Sequence, residues 1–282
     1  MRTYALARRL SHADVDFLGE LKVSALLGLL EQAAVEASTD AGYDAARYTR
    51  EGRLWIIRRT RLERIVPVGG TEAVVVETQV IDFRRARSLR RYTVRRDGVA
   101  VAHATTDWVY CDLRTGRPLR IPAALAQALT DGAGAPALPR AEPLPAIGQG
   151  AAVEFALTVQ PSHLDHVAHV NNAVYAAWLE DGAFALFAAS GWPLTRMLAA
   201  GGALRVSRLD CEYLTDALVG EHLVARTWRL DGAAFDGNDD APPTCAQLLQ
   251  TISRADDTAV LRARSGWAWR QKPLVLGGVP EP

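Results

Sequence analysis

The chain has 282 residues, 49% hydrophobic and 23% charged, which is typical of a soluble globular protein with one or two domains. Lys plus Arg and Asp plus Glu number 32 each, so no global field favours nucleic acid or an anionic membrane. No apolar run approaches the roughly 18 residues that cross a bilayer. The first residues lack a secretory core, and the three cysteines follow no disulfide or metal-binding pattern. We therefore expect a cytoplasmic protein with no cofactor and no metal.

The first half of the chain predicts one strand, one long helix and four further strands. The strand covers residues 3–10 and the helix residues 24–37. The later strands are predicted at residues 54–68, 71–83, 88–96 and 99–113. Gly69-Gly70 and Asp97-Gly98 separate them, and the second pair is a strong hairpin signal. This order favours an α+β domain over residues 1–118, with a mostly antiparallel sheet.

The second half repeats that order after a linker. Residues 119–150, rich in Pro, Ala and Gly, predict the linker, with a short helix at residues 123–129. A second domain is predicted over residues 151–272 and a tail over 273–282. Its strand lies at residues 152–160, its apolar helix at 172–190, and its later strands at 203–214, 222–230, 245–254 and 259–270. Residues 231–243 predict a long exposed loop.

The two halves are related by a fixed offset. Asp165 lies 149 residues after Asp16, and Glu180 lies 149 residues after Glu31. Each aspartate precedes a long helix and each glutamate lies within it. A period of this length indicates a duplicated domain rather than a solenoid repeat.

The segment before the second helix carries the strongest chemical signal. Asp165 precedes His169 by four residues, and Asn171 and Asn172 stand where the helix begins. A carboxylate and an imidazole beside a helix N-terminus supply a base or nucleophile, a partner for it, and N–H donors for an oxyanion. The pattern therefore predicts a catalytic site.

This segment also resembles a known signature. Asp165, His169, Val170, Asn171, Asn172, Tyr175 and Trp178 have the spacing found in hotdog-fold thioesterases. Residues 54–64 and 105–118 are similar to the first half of acyl-ACP thioesterases, which release fatty acids from acyl carrier protein (ACP). The resemblance implies two tandem hotdog domains, each an antiparallel sheet wrapped around a long central helix.

The resemblance also implies roles for individual residues. Asp165 and His169 match the essential residues of the family, and Asp216 falls where plant members carry a further catalytic Glu. Val170, Asn171, Asn172 and Tyr175 are expected to contact the substrate. Val167 and Ala217 depart from the plant pattern, which has Asn and Cys there. The first copy has Glu20 and Lys22 in place of His169 and Asn171, so we expect it to be non-catalytic and to shape the acyl pocket.

The expected mechanism is thioester hydrolysis. Asp165 attacks the thioester carbonyl or deprotonates a water that does so, and N–H groups of residues 169–171 hold the oxyanion. His169 orients Asp165 or the water, or protonates the leaving thiolate. The expected substrate is an acyl-ACP or acyl-CoA thioester. We expect no nucleic-acid partner and no membrane insertion, and either a monomer of tandem hotdogs or a homodimer.

Several alternatives remain open at this stage. The chain could be a non-catalytic acyl-thioester binder, or a hotdog hydratase or dehydratase, although the Asn-Pro that follows the Asp in those lyases is missing. Glu180 could face the site or the seam between domains. Arginines crowd residues 84–96, which predicts either a solvated sheet face or a docking surface for an acidic carrier. His163, His166 and His169 on an extended loop do not favour a metal site.

Overall fold

The computed structural model describes residues 2–70, 72–130, 142–145, 148, 150–165, 167–230 and 241–272. The first half contains β1 (Tyr4–Arg9), α1 (Val23–Asp40), α2 (Ala45–Glu51), β2 (Arg53–Arg64), β3 (Ala73–Arg84), β4 (Arg87–Arg96) and β5 (Val99–Asp112). Helix α3 (Ala123–Thr130) follows. The second half contains β6 (Val153–Thr158), α4 (Asn172–Ala189), α5 (Leu194–Ala199), β7 (Gly202–Tyr213), β8 (His222–Arg229), β9 (Cys245–Arg254) and β10 (Ala259–Gln271).

These elements form the predicted α+β arrangement of two hotdogs. The strands make one ten-stranded sheet in the order β1-β3-β4-β5-β2-β7-β10-β9-β8-β6, and every pairing is antiparallel. The first five strands belong to the first hotdog and the last five to the second. The pairing of β2 with β7 joins the two halves into one continuous sheet.

The two long helices supply most of the shared core. Buried apolar residues of α1 and α4 belong to one hydrophobic cluster that runs through both halves. The helices also pack against each other, and α4 contacts β6 and β8. Helix α4 is apolar on most sides because it is enclosed in this way. No helix in the described part of the chain is both long and apolar enough to span a membrane.

The duplication is visible residue by residue. Helices α1 and α4, strands β1 and β6, and strands β2 and β7 all begin and end 149 residues apart. Across the seam, Arg59 pairs with Glu212, and Glu63 pairs with Arg208, which is the same pair shifted by 149. A pseudo-twofold axis therefore passes through the β2–β7 junction. It relates each residue of the first hotdog, up to Ala73 at the start of β3, to the residue 149 positions later in the second hotdog, up to His222 at the start of β8.

Three helical features differ from the sequence prediction. Helices α2 and α5 were not predicted, and α3 packs on the first hotdog although it falls in the predicted linker. Leu125 and Leu129 of α3 join a second core cluster with Tyr43, Val80 and Tyr110. Residues 231–240 of the predicted loop, and the whole of the predicted tail at 273–282, lie outside the described residues.

Candidate active site

The loop before α4 is folded around the side chain of Asp165. Its Oδ1 accepts hydrogen bonds from the backbone N–H of Val167 at 2.9 Å and of His169 at 3.2 Å. The N–H of Asp165 donates to the carbonyl oxygen of His169 at 2.8 Å. A short acidic side chain that bonds backbone groups ahead of it stabilises a tight turn, and Ala168 takes a positive φ of 62° within it. Oδ1 is therefore held by the loop, and no group of the described residues donates a hydrogen bond to Oδ2.

The start of α4 has most of its backbone N–H groups already engaged in hydrogen bonds. The N–H groups of His169, Val170 and Asn171 already donate, the last two to the carbonyl oxygens of Ala217 and His163. The side chain of Asn171 caps the helix by accepting from the N–H of Ala173 at 2.8 Å. Among the described groups, the N–H of Asn172 makes no such bond. At the helix N-terminus the N–H of Asn172 is therefore the one left to donate to a bound group, and the predicted oxyanion role of residues 169–171 stays a prediction.

His169 and Asp216 stand close to each other at the same end of the sheet. The His169 Nδ1 lies 3.7 Å from Asp216 Oδ1, too far for a hydrogen bond but close enough for an ion pair when the ring is protonated. Arg254 holds the Asp216 segment, because its guanidinium donates to the carbonyl oxygen of Asp216 at 2.6 Å and to Thr215 Oγ1 at 3.1 Å. The arrangement suits a movable acid or base rather than a fixed structural pair.

A cavity of about 1040 Å³ brings most of the predicted site residues together. Its lining from the second hotdog includes Asp165, Val167, His169, Val170, Asn172, Tyr175 and Asp216. Asn171 is not part of the lining, because its side chain caps α4. The first hotdog contributes Glu31 of α1, Leu54, Trp55, Ile56 and Ile57 of β2, and Trp108 of β5. The cavity therefore lies between the hotdogs, with the charged loop on one side and apolar walls on the other.

Two tyrosines beside the catalytic loop remain protonated. Burial raises the pKa of Tyr175, and the charge of Asp216 raises it further. Burial likewise raises the pKa of Tyr213, whose ring packs edge-on against Tyr175 at 5.8 Å between centroids. Neither phenol acts as a base near neutral pH, so both serve as neutral walls or hydrogen-bond donors.

The first hotdog contains the same loop with different chemistry. Asp16 Oδ1 accepts from the N–H of Leu18 at 2.7 Å and of Glu20 at 3.1 Å. The N–H of Asp16 donates to the carbonyl oxygen of Glu20 at 2.8 Å, and Gly19 has a positive φ of 78°. Every backbone feature of the Asp165 loop recurs, but Glu20 replaces His169. The fold of the loop therefore depends on the shared aspartate and not on whether His or Glu follows it four residues later.

Buried arginines neutralise the carboxylates of the Asp16 loop in the first hotdog, which we call the mirror site. Arg205 of β7 lies with its Nη2 2.6 Å from Asp16 Oδ2 and its Nη1 2.9 Å from Glu180 Oε1. Arg64 of β2 lies 3.2 Å from Glu20. The side chains of Asp16 and Arg205 are only 4% and 2% exposed. Glu180 thus belongs to the seam between the hotdogs, and the mirror site is filled by an ion-pair network.

The sequence prediction missed the cavity residue Glu31 and misplaced Arg90, which does not line the cavity. Glu31 lines the cavity, although it was noted in the sequence only as the partner of Glu180. Arg90 was assigned to a basic surface with its neighbours, but it is buried, its guanidinium lies 3.3 Å from Thr78 Oγ1, and burial lowers its pKa. The exposed arginines of that hairpin that line the cavity are Arg84, Arg85 and Arg87.

The described residues contain no group of three or more His, Cys, Asp or Glu that could hold a metal ion. His163 packs edge-on against Trp178, and its Nδ1 accepts from the N–H of Gln160 at 3.0 Å. His166, the middle member of the predicted histidine series, lies outside the described residues.

Comparisons with known proteins agree with this architecture. Residues 3–129 match the family model of the acyl-ACP thioesterase N-terminal domain, and residues 168–230 match the thioesterase superfamily. No curated protein matches the chain. Among solved structures, it is similar to a 12:0-ACP thioesterase from Umbellularia californica at 18% identity, with 96% of this chain and 98% of that one covered and a TM-score of 0.72.

Two bacterial structures are similar to the same extent. One is a provisionally assigned oleoyl thioesterase from Lactobacillus plantarum, with 18% identity, 95% and 96% of the two chains covered and a TM-score of 0.79. The other is an acyl-ACP thioesterase from Bacteroides thetaiotaomicron, with 18% identity, 95% and 98% covered and a TM-score of 0.68. At this identity the structures establish a shared fold over nearly the whole chain.

Proposed function

Since the chain belongs to the acyl-ACP thioesterases, we propose that it releases a fatty acid from acyl-ACP by means of the Asp165 carboxylate. The observation that carries this assignment is the position of Asp165 on the cavity wall, with Oδ1 bound by the loop and Oδ2 left over. In the mirror copy, Arg205 occupies the corresponding Oδ2. The second hotdog has a cavity where the first has a cation.

Thioester hydrolysis needs a nucleophile or base, an oxyanion donor and a good leaving group. Asp165 Oδ2 supplies the first, either by attacking the carbonyl carbon or by removing a proton from water. The N–H of Asn172, at the N-terminus of α4, is placed to donate to the developing oxyanion. The thiol leaving group has a pKa near 8.5, so the thiolate departs without a strong acid. His169, beside Asp216, is available to protonate it.

The first hotdog is proposed to hold the acyl chain. Trp55, Ile57 and Trp108 give the cavity an apolar wall that faces the charged loop of the second hotdog. A pocket of this kind buries a hydrocarbon chain by the hydrophobic effect while the polar groups fix the thioester. The mirror site, neutralised by Arg205 and Arg64, is proposed to be non-catalytic.

The carrier is proposed to dock at the arginines of the β3–β4 turn. Arg84, Arg85 and Arg87 are exposed and line the cavity. Arg84 pairs with Asp82 at 2.6 Å and Arg87 pairs with Asp107, so these side chains together leave a small local excess of positive charge on a protein of zero net charge. Such a surface attracts an acidic carrier protein or the phosphates of CoA. ACP is the proposed carrier because residues 3–129 match the acyl-ACP thioesterase family model.

Release of free thiol from matched acyl-ACP and acyl-CoA substrates tests the proposal. We expect turnover of acyl-ACP, and a loss of at least about 100-fold in kcat for Asp165→Asn, the low end for a general base or nucleophile. Asp181→Asn, at an exposed carboxylate on α4, is the matched control and should behave as wild type. Full turnover by Asp165→Asn would refute the role of Asp165.

The same assay separates hydrolysis from the alternatives. A non-catalytic acyl binder would release no thiol, and a hydratase or dehydratase would change enoyl absorbance without releasing thiol. Family membership favours hydrolysis over both. The cytoplasmic location and the choice between a monomer and a homodimer stay predictions.

A further inference from the structure

Arg254, the last residue of β9, clamps the segment that carries Asp216. Its guanidinium donates to the backbone carbonyl oxygen of Asp216 at 2.6 Å and to Thr215 Oγ1 at 3.1 Å. The Glu221 carboxylate lies 3.0 Å from Arg254 Nη2, and these two side chains are only 26% and 28% exposed. The guanidinium therefore joins the end of β9 to both ends of the connection between β7 and β8.

The first hotdog contains the same clamp at equivalent positions. The offset of 149 relates Pro67 to Asp216 and Glu72 to Glu221. Arg96, the last residue of β4, donates to the carbonyl oxygen of Pro67 at 3.3 Å and to the carboxylate of Glu72 at 3.1 Å. Strand β4 lies between β3 and β5, and β9 lies between β8 and β10, so the two arginines end equivalent strands. The clamp is thus part of the duplicated scaffold.

Only the second hotdog has an ionisable side chain on the clamped residue. The side chain of Pro67 can neither donate nor accept a proton, whereas Asp216 places a carboxylate 3.7 Å from His169 Nδ1. His169 and Asp216 both line the cavity. The Asp216 side chain is 51% exposed, so packing alone does not fix it. Because the clamp holds the backbone carbonyl of Asp216, it limits where the carboxylate can lie relative to the imidazole.

We propose that Arg254 is a positioning residue for the hydrolysis, which acts by keeping the Asp216 carboxylate beside the His169 imidazole. This inference rests on the proposed function, in which His169 passes a proton to the leaving thiolate and regains one from solvent. A carboxylate at this distance stabilises the imidazole while it carries the proton. The clamp therefore serves the proton transfer and not the binding of the acyl chain or the carrier, so its loss should lower kcat and leave KM nearly unchanged.

Steady-state thiol release from acyl-ACP by variants of both clamps tests this role. We expect Arg254→Met to lower kcat by about tenfold, a part of the roughly 100-fold that a general acid contributes, with KM close to wild type. Arg254→Lys, which keeps the charge, should recover part of the loss. Arg96→Met is the matched control, because it removes the same contacts from a side chain that is 29% exposed. It should lower the thermal midpoint of unfolding to a similar extent and leave kcat unchanged.

A double-mutant cycle with Asp216→Asn shows whether Arg254 acts through Asp216. Once Asp216 has lost its charge, Arg254→Met should cost little further kcat. Additive losses in the cycle, wild-type kcat in Asp216→Asn, or a rise in KM in place of the fall in kcat would each overturn the proposal, as would equal kcat values for Arg254→Met and Arg96→Met.

Two further variant pairs keep the test decisive. If Arg254→Met fails to fold, Glu221→Gln is compared with Glu72→Gln, and only the first should lower kcat; equal kcat values would count against the positioning role. Asp165→Asn tests the proposed function separately. Full turnover by Asp165→Asn would end the role of Asp165, while the comparison of the two clamps would still decide the role of Arg254.

Discussion

Replacing Arg205 with methionine should destabilise the protein strongly, although the residue lies outside the proposed catalytic site. Arg205 is 2% exposed, and its loss leaves the carboxylates of Asp16 and Glu180, 4% and 14% exposed, without a cation. Removing one partner of a buried ion pair costs about 3–5 kcal/mol, because the remaining charge stays desolvated. With a urea slope of about 3 kcal/mol per M, the unfolding midpoint should fall by about 1 M.

Arg208→Met on the same strand is the matched control. Arg208 also pairs with a glutamate, Glu63, at 2.8 Å, but its side chain is 72% exposed. Exposed pairs contribute about 0–1 kcal/mol, so its midpoint should hardly move. Urea unfolding followed by tryptophan fluorescence and circular dichroism measures both variants. Equal midpoints for Arg205→Met and Arg208→Met would refute the view that the mirror network needs its central cation.

The destabilisation should also depend on pH in a definite direction. Burial raises the pKa of Glu180, and Arg205 opposes that rise. A raised native pKa means that the folded protein binds more protons than the unfolded chain, so stability falls as pH increases through that range. Without Arg205 the rise is larger. The loss of unfolding free energy in Arg205→Met, relative to wild type, should therefore be smaller at pH 5 than at pH 8. A loss that grows on acidification would contradict this expectation.

Three further predictions concern the catalytic half and its surroundings. Ile56 stands at the position equivalent to Arg205, 149 residues earlier, so Ile56→Arg places in the active site the cation that fills the mirror site. Thiol release should then fall by at least about 100-fold, with little change in the thermal midpoint of unfolding. An active variant would contradict the equivalence of the two positions. Arg85→Glu with Arg87→Glu should raise KM for acyl-ACP by about tenfold at low salt, whereas Arg91→Glu, exposed but off the cavity, should not; equal effects would discard the docking surface. Asn171→Ala should lower the free energy of unfolding by about 1 kcal/mol through loss of the α4 cap; an unchanged denaturation curve would dismiss the cap.

The strands and long helices could be predicted because their patterns are local. Alternation and turn signals placed nearly every strand to within a few residues, and the apolar character of α4 on most sides indicated its enclosure. Helices α2 and α5 were missed because they are short. Their signals, the Asp44 cap and Pro193 before the first turn, were present in the sequence but were not used.

Contacts across the seam were harder to predict. Asp165, His169 and Asp216 were predicted as site residues from their motif, and all three line one cavity, while their catalytic roles stay predictions. The neighbours of Glu31 and Glu180 depend on how the hotdogs meet, which no local pattern encodes. Arg90 shows the opposite case: it is in phase with Ser88, Tyr92 and Val94, all buried, so strand alternation alone should have placed it inside.

Joining β2 to β7 within one polypeptide frees the two hotdogs to evolve separately. When two identical subunits pair, any substitution is made on both sides of the axis, and an arginine that fills one crevice fills the other as well. Here Ile56 and Arg205 stand at equivalent positions of the two hotdogs but are encoded independently. The crevice beside Asp16 can therefore become rigid and charged while the one beside Asp165 stays hollow. A single fused gene can thus divide labour between a reacting half and a supporting half, which a symmetric pair cannot do.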